Sequence, residues 1–101
     1  MLETKVTLTN NVGLHARPAA LFVQTANKCV CNIAIRNLTT ARGPVNAKSI
    51  ISILSLGALQ YHEIIIIADG PDEEHAIDQL KTLVINNFGE ADEQRRRLVT
   101  P

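Results

Sequence analysis

Four consecutive isoleucines in the stretch HEIIIIADG, residues 62–70, constrain this chain more than any other feature. β-Branched side chains are stiff at χ1 and pack well on a pleated surface, so the run predicts a strand that lies centrally or is covered. Alternation sends Ile64, Ile66 and Ala68 to one face and Ile65 and Ile67 to the other. Upstream, Leu2, Thr4, Val6 and Leu8 alternate with Glu3, Lys5 and Thr7, which predicts a half-buried strand over residues 2–9. Asn10, Asn11 and Gly13 read as a turn. From His15 to Lys28, apolar residues at 16, 19, 20, 23 and 26 have helical spacing, with Pro18 confined to the first turn.

Period two returns from Cys29 to Arg36, with Cys31, Ile33 and Ile35 facing one way and Asn32, Ala34 and Arg36 the other. NLTTARGP supplies a turn into a short strand near Arg42 to Asn46, making a hairpin. Ser49 to Leu56 predicts a short helix closed by Gly57. After Gly70 and Pro71, the acids Asp72, Glu73 and Glu74 suit the positive end of a helix, and Ala76, Ile77, Leu80, Leu83 and Val84 form its apolar stripe, with Gly89 as its stop. The order strand, helix, strand, strand, helix, strand, helix implies an α+β fold, a mainly antiparallel sheet with helices on one face. Residues 90–101, EADEQRRRLVTP, read as a tail that is disordered or extends the last helix.

At 101 residues the chain has room for one core and one domain. Ten Lys and Arg balance ten Asp and Glu, and only three residues are aromatic, so neither a phosphate-tracking basic field nor a stacking platform is present and nucleic acid is excluded as a partner. An RNA-binding α/β domain is suggested only by the alternation of strands and helices. No stretch approaches the ~18 apolar residues of a membrane span, and MLETKVTLTN lacks a signal layout, so a soluble cytoplasmic protein without membrane insertion is expected. Cys29 and Cys31, two apart on a strand, would share a sheet face, badly placed for a mutual disulfide. A metal would want four ligands and no second pair accompanies them; buried thiols are the plainer reading, with no metal and no cofactor. His62 and His75 read as structural or solvated.

His15 in VGLHARPAA differs, because it stands where a helix starts. First-turn N–H groups and the positive dipole end lie beside its ring, so an anion attached there would be held. The same end works against a positive imidazolium and so favours a lone pair free to attack. Arg17 adds a fixed charge whose forked donors suit phosphate oxygens, while Gly13 permits the sharp entry and Pro18 presets helical φ. The chemistry is that of a histidine taking up a phosphoryl group; the plainer alternative is a histidine that only caps a helix.

GLHARPA, then LFVQTANK, VNAKSIISILSLGA and EIIIIADGPDEEHAI, in that order, resemble the histidine-containing phosphocarrier (HPr) family of the bacterial phosphotransferase system, over residues 2–89. The resemblance implies an open-faced β-sandwich, four antiparallel strands with three helices on one side in the order βαββαβα, formed by a domain spanning residues 1–89. It implies that His15 accepts a phosphoryl group on Nδ1 from phosphorylated enzyme I and passes it to sugar-specific enzyme IIA components. Such a protein is substrate and donor in turn, a phosphohistidine intermediate and not an independent catalyst. Arg17 matches the family's active-site arginine. Ser49 matches a serine that a dedicated kinase, HPr kinase/phosphorylase, phosphorylates in some bacteria, although serine is also a favoured helix N-cap. Ala16, Ala20, Gln24, Ile50, Ile51 and Leu54 match the partner-binding surface; among the last three, some are expected in the core, with Ile51 and Leu54 outward.

Three departures from the family pattern stand out: Val12 occupies a position commonly polar, NLTTARGP is longer than the usual hairpin turn, and the tail exceeds the common length. A phosphocarrier of a nitrogen branch, or a regulatory binding module of the same fold, remains the alternative. The module's relatives lack the histidine. A monomer or weak homodimer is expected, because Ile65 and Ile67 point to the uncovered side of the sheet, beside Val30 or Ala34, where a second copy or Leu98 and Val99 could cover them.

Overall fold

The computed structural model describes residues 1–89, and the expected tail, 90–101, lies outside them. In chain order come β1 (Leu2–Thr7), α1 (Ala16–Asn27), β2 (Asn32–Asn37), β3 (Arg42–Asn46), α2 (Ile50–Ser55), β4 (Glu63–Asp69) and α3 (Glu73–Ile85), closed by a 3-10 turn at Asn87–Gly89 that buries Phe88. The strand order is β1-β4-β2-β3, so the isoleucine run lies inside the sheet. Both β1 and β2 run antiparallel to β4 and therefore parallel to each other, which is why the chain between them crosses over through α1.

Register decides what each isoleucine meets. Ile66 pairs with Thr4 and Ile35, and Ile64 with Val6 and Asn37. Ile64, Ile66 and Ala68 are fully buried, as alternation requires, together with Leu8, Ile35, Phe22, Ile53, Leu56 and Leu80. α3 packs on β1 and β4, and α1 packs against α2 and α3. The outer sheet face differs from the sequence expectation. Ile65 stands between Lys5 and Arg36 and Ile67 between Glu3 and Ala34, so long polar side chains break the apolar surface and both isoleucines are half-buried. Val30 lies before β2 and joins no strand.

α1 turns Ala19, Phe22 and Ala26 inward, with Pro18 buried in its first turn. Ala16 is exposed and Ala20 half-buried, so the inward stripe runs through Phe22 rather than through these two alanines. The two cysteines also sit differently. Cys29 follows α1, its N–H donating to Ala26 O at 3.1 Å, and Cys31 precedes β2. Both are buried and free, and burial, reinforced by the Asp72 carboxylate, pushes the Cys31 thiol up to about 11. A thiol that stays protonated at neutral pH is a poor nucleophile.

Asp72, at the start of α3, clasps the turn between α1 and β2. Its carboxylate accepts the N–H of Val30 and of Cys31, each at 2.9 Å. The Val30 N–H, then the Cys31 thiol and N–H, hold Asp72 down at about 2, from an ordinary 3.8. A depressed folded value means that the clasp stabilises fully above the unfolded carboxyl's range and is lost as pH falls through about 2. The melting temperature should therefore drop between pH 4 and pH 2, and Asp72→Asn should flatten that part of the profile; an unchanged slope in a thermal series would show that the clasp contributes nothing.

Candidate functional site

His15 is the N-cap of α1, with φ −91° and ψ −170°, in extended backbone. Its carbonyl accepts the Ala19 N–H at 2.8 Å, while its imidazole makes no capping hydrogen bond and is exposed. The backbone closes the helix and leaves the ring out of that task, which counts against a histidine present only as a cap. The donors of the first turn are the N–H groups of Ala16 and Arg17, since Pro18 has none.

The loop that delivers His15 is braced twice. Asn10 is buried and its Nδ2 donates to Gly13 O at 2.8 Å, so it supplies a polar brace although Val12 cannot. Leu14 N–H donates to Ala58 O at 2.9 Å, joining this loop to the one after α2. Gly13 takes φ +60°, and a Cβ there would stand 2.3 Å from Ala58 O, which is why the motif needs glycine. Arg17 is exposed on α1 and lines an open groove with Leu21 and Thr25, facing Gln79, Thr82 and Asn86 near the end of α3.

Ser49 is the N-cap of α2, its Oγ accepting the Ser52 N–H at 3.4 Å. Ile50, Ile51 and Leu54 are 40, 78 and 44% exposed, so none of the three is core, contrary to the expectation that some would be. A six-residue helix offers the interior little more than one side chain, and Ile53 takes that place. Ala16, Ala20 and Gln24 recur every four residues along α1, a helix that packs against α2. The structure thus puts His15 and these residues on adjoining helices.

Sequence reasoning missed a support behind the site. Buried Asn37 donates through Nδ2 to Leu56 O at 3.2 Å and to His62 Nδ1 at 3.2 Å, while its Oδ1 accepts the N–H of Thr39 and Thr40. His62 Nδ1 also lies 3.1 Å from the Leu59 N–H, which donates to it, so the ring locks the loop that holds Ala58. An asparagine followed by Leu-Thr-Thr is an Asx-turn signal that could have pointed to it.

An open antiparallel sheet roofed by three helices, with an exposed histidine where the first helix starts and an arginine two residues on, defines an α+β open-faced sandwich. The family model described as the PTS HPr component phosphorylation site matches residues 2–86, and the chain belongs to the HPr family. Phosphocarrier protein HPr of Xylella fastidiosa (strain Temecula1) is 43% identical over 90 residues, covering 89% of this chain and 98% of that protein. The crystal structure of HPr-C-His from Thermoanaerobacter tengcongensis matches with TM-score 0.82 and 46% identity, covering 88% of this chain and 97% of that one. HPr-like protein Crh of Bacillus subtilis is 39% identical over 84 residues, 83% of this chain and 95% of that protein. The chain also matches multiphosphoryl transfer proteins of Haemophilus influenzae and Vibrio cholerae at 39% identity, spanning 17 and 21% of their length.

Proposed function

We propose that His15 is the phosphoryl acceptor, taking the group on Nδ1 from phosphorylated enzyme I and handing it to enzyme IIA components for sugar uptake. The observation that carries this reading is an exposed imidazole at the start of α1 that takes no part in capping it. The Nδ1 lone pair attacks phosphorus in line as the bond to the donor's nitrogen breaks, and the donor keeps that electron pair. Negative charge on the three phosphoryl oxygens is met by the Arg17 guanidinium and the helix-start N–H groups. Transfer onward reverses the roles, so the chain is an intermediate and not a catalyst by itself. The test is incubation with enzyme I and phosphoenolpyruvate, followed by mapping of the acid-labile phosphate by mass spectrometry. Label on His62 or His75 would overturn the assignment.

Ala16, Ala20, Gln24, Ile50, Ile51 and Leu54 form the docking surface in this reading, and the exposure of all of them but half-buried Ala20, on two helices packed together, supports it. The protein works in the cytoplasm; among the described residues no helix is long and apolar enough to cross a membrane. The charged residues around Ile65 and Ile67 favour a monomer as the working unit. A nitrogen-branch carrier would use the same chemistry with other acceptors.

Likeness to Crh, the catabolite repression HPr of Bacillus subtilis, favours a regulatory use in addition, which this reading places on Ser49 through HPr kinase/phosphorylase. A phosphoryl group on Ser49 would sit at a helix start that tolerates negative charge, next to exposed Ile50 and Ile51, so docking changes while the fold holds. Ser49→Asp should keep the helix capped, with the melting temperature within a few degrees of the parent, and raise KM with enzyme I about tenfold, the equivalent of about 1.4 kcal/mol. Equal KM values for the two proteins would remove the regulatory role and leave the capping role standing.

A further inference from the structure

A single peptide unit joins His62 to the acceptor site. The peptide between Ala58 and Leu59 offers its N–H to His62 Nδ1 at 3.1 Å, and its C=O accepts the N–H of Leu14, the residue before His15, at 2.9 Å. A peptide is planar, so its N–H and C=O turn together and whatever moves one end at the ring is carried to Leu14 at the other. The same unit abuts the rest of the entry loop, since a Cβ on Gly13 would stand 2.3 Å from Ala58 O and 2.7 Å from Leu59 C and Cα.

The form of the ring follows from its two partners on Nδ1. A backbone N–H can only donate. Asn37 Oδ1 is taken by the N–H groups of Thr39 and Thr40, which fixes the carboxamide so that Nδ2, 3.2 Å from Nδ1, also donates. The network thus assigns Nδ1 as the acceptor of both and puts the neutral ring's proton on Nε2. A second proton would enter at Nδ1, face two donors and leave each without its acceptor. The charged and titratable groups around the ring are placed elsewhere. Glu63 pairs with Lys5 of β1 at 3.3 Å, Arg42 of β3 donates to Ser55 O at 3.4 Å, Arg36 of β2 stands beside Ile65 on the outer sheet face, and Tyr61 is exposed. The turn itself stays tied to the chain after β1 by bonds that do not involve the ring: His62 O accepts the Leu8 N–H at 3.0 Å, and Tyr61 N–H donates to Leu8 O. Protonation of half-buried His62 therefore frees the 58–59 peptide and leaves the fold in place.

We propose that His62 is a positioning residue for phosphoryl transfer and makes that transfer acid-sensitive. Neutral, it holds the peptide that braces Leu14 and so aims His15; protonated, it lets that peptide turn away. The inference rests on His15 as the acceptor. Histidine changes charge between about pH 5 and pH 8, and His15 and enzyme I titrate as well, so the quantity to follow is a ratio, the rate of transfer from phospho-enzyme I to the parent over that to His62→Asn at each pH. Asparagine sets Oδ1 where Nδ1 stands and takes up no proton. The ratio should be near one at about pH 8 and fall about fivefold by about pH 5, the effect of about one lost hydrogen bond. His62→Leu, which offers no acceptor, should be slower than the parent by a similar factor at about pH 8. A ratio that stays constant with pH would overturn the proposal, and so would His62→Leu transferring at the parent's rate. A second measurement needs no change at His62. In His15→Ala the Leu14 amide signal should shift in step with the His62 ring signals as pH falls, followed by NMR, and a Leu14 signal indifferent to that titration would overturn the coupling. Because this reading involves no phosphate, it is distinct from failure of the parent to take label on His15.

Discussion

His15→Ala should take up no acid-labile phosphate from phospho-enzyme I, yet melt within a few degrees of the parent chain. Loss of transfer follows from the chemistry, since no other side chain at the start of α1 offers a nitrogen lone pair to phosphorus. Retention of stability follows from the geometry. The ring is exposed and makes no capping bond, and the His15 carbonyl, which alanine keeps, is what accepts the Ala19 N–H. Exposed substitutions of that kind usually cost less than about 0.5 kcal/mol. The measurements are phosphate incorporation and thermal melting on the same preparation. Incorporation at the parent's level would move the site elsewhere, and a large fall in melting temperature would mean that the imidazole was structural after all.

Much of this was legible in the residues, for particular reasons. The isoleucine run has one face that must be buried, so its strand, its central place and its inward set all follow from alternation, and Ile64, Ile66 and Ala68 are indeed fully buried. Ser49 before an apolar run and Gly57 after it bracket α2 by capping chemistry alone. The misreadings share a cause, which is that periodicity ranks positions without knowing what lies opposite. Ala16 and Ala20 fit the apolar spacing of α1, but small side chains bury little area, and the helix rotates to bring Phe22 inward. Ile65 and Ile67 look like an exposed patch until the register places Lys5, Arg36 and Glu3 beside them. Asn37 and His62 could not be joined from sequence, because their bond spans 25 residues and depends on two loops meeting.

The stability of the site is set by the meeting of those loops, and Gly13→Ala is the substitution that should damage it most. Two penalties add at that position. With φ at +60°, any residue other than glycine pays for left-handed backbone, about 1–2 kcal/mol. The new Cβ would also stand 2.3 Å from Ala58 O and 2.7 Å from Leu59 Cα, all backbone atoms that cannot swing aside as a side chain could. Relief requires the two loops to part, and parting them breaks the 2.9 Å bond from Leu14 N–H to Ala58 O, at about 1 kcal/mol. The combined loss is about 2–4 kcal/mol, which in a domain of this size lowers the melting temperature by roughly 10–20 °C. Function should suffer beyond that. His15 is two residues downstream, and a shift of about 1 Å in a reacting group can cost about a hundredfold in rate. Transfer from phospho-enzyme I, assayed far below the variant's melting temperature where the chain is folded, should therefore fall by one to two orders of magnitude. If the variant melts early but transfers at the parent's rate, the loop contact stabilises the fold without aiming the ring, and the placement of His15 must come from α1 alone.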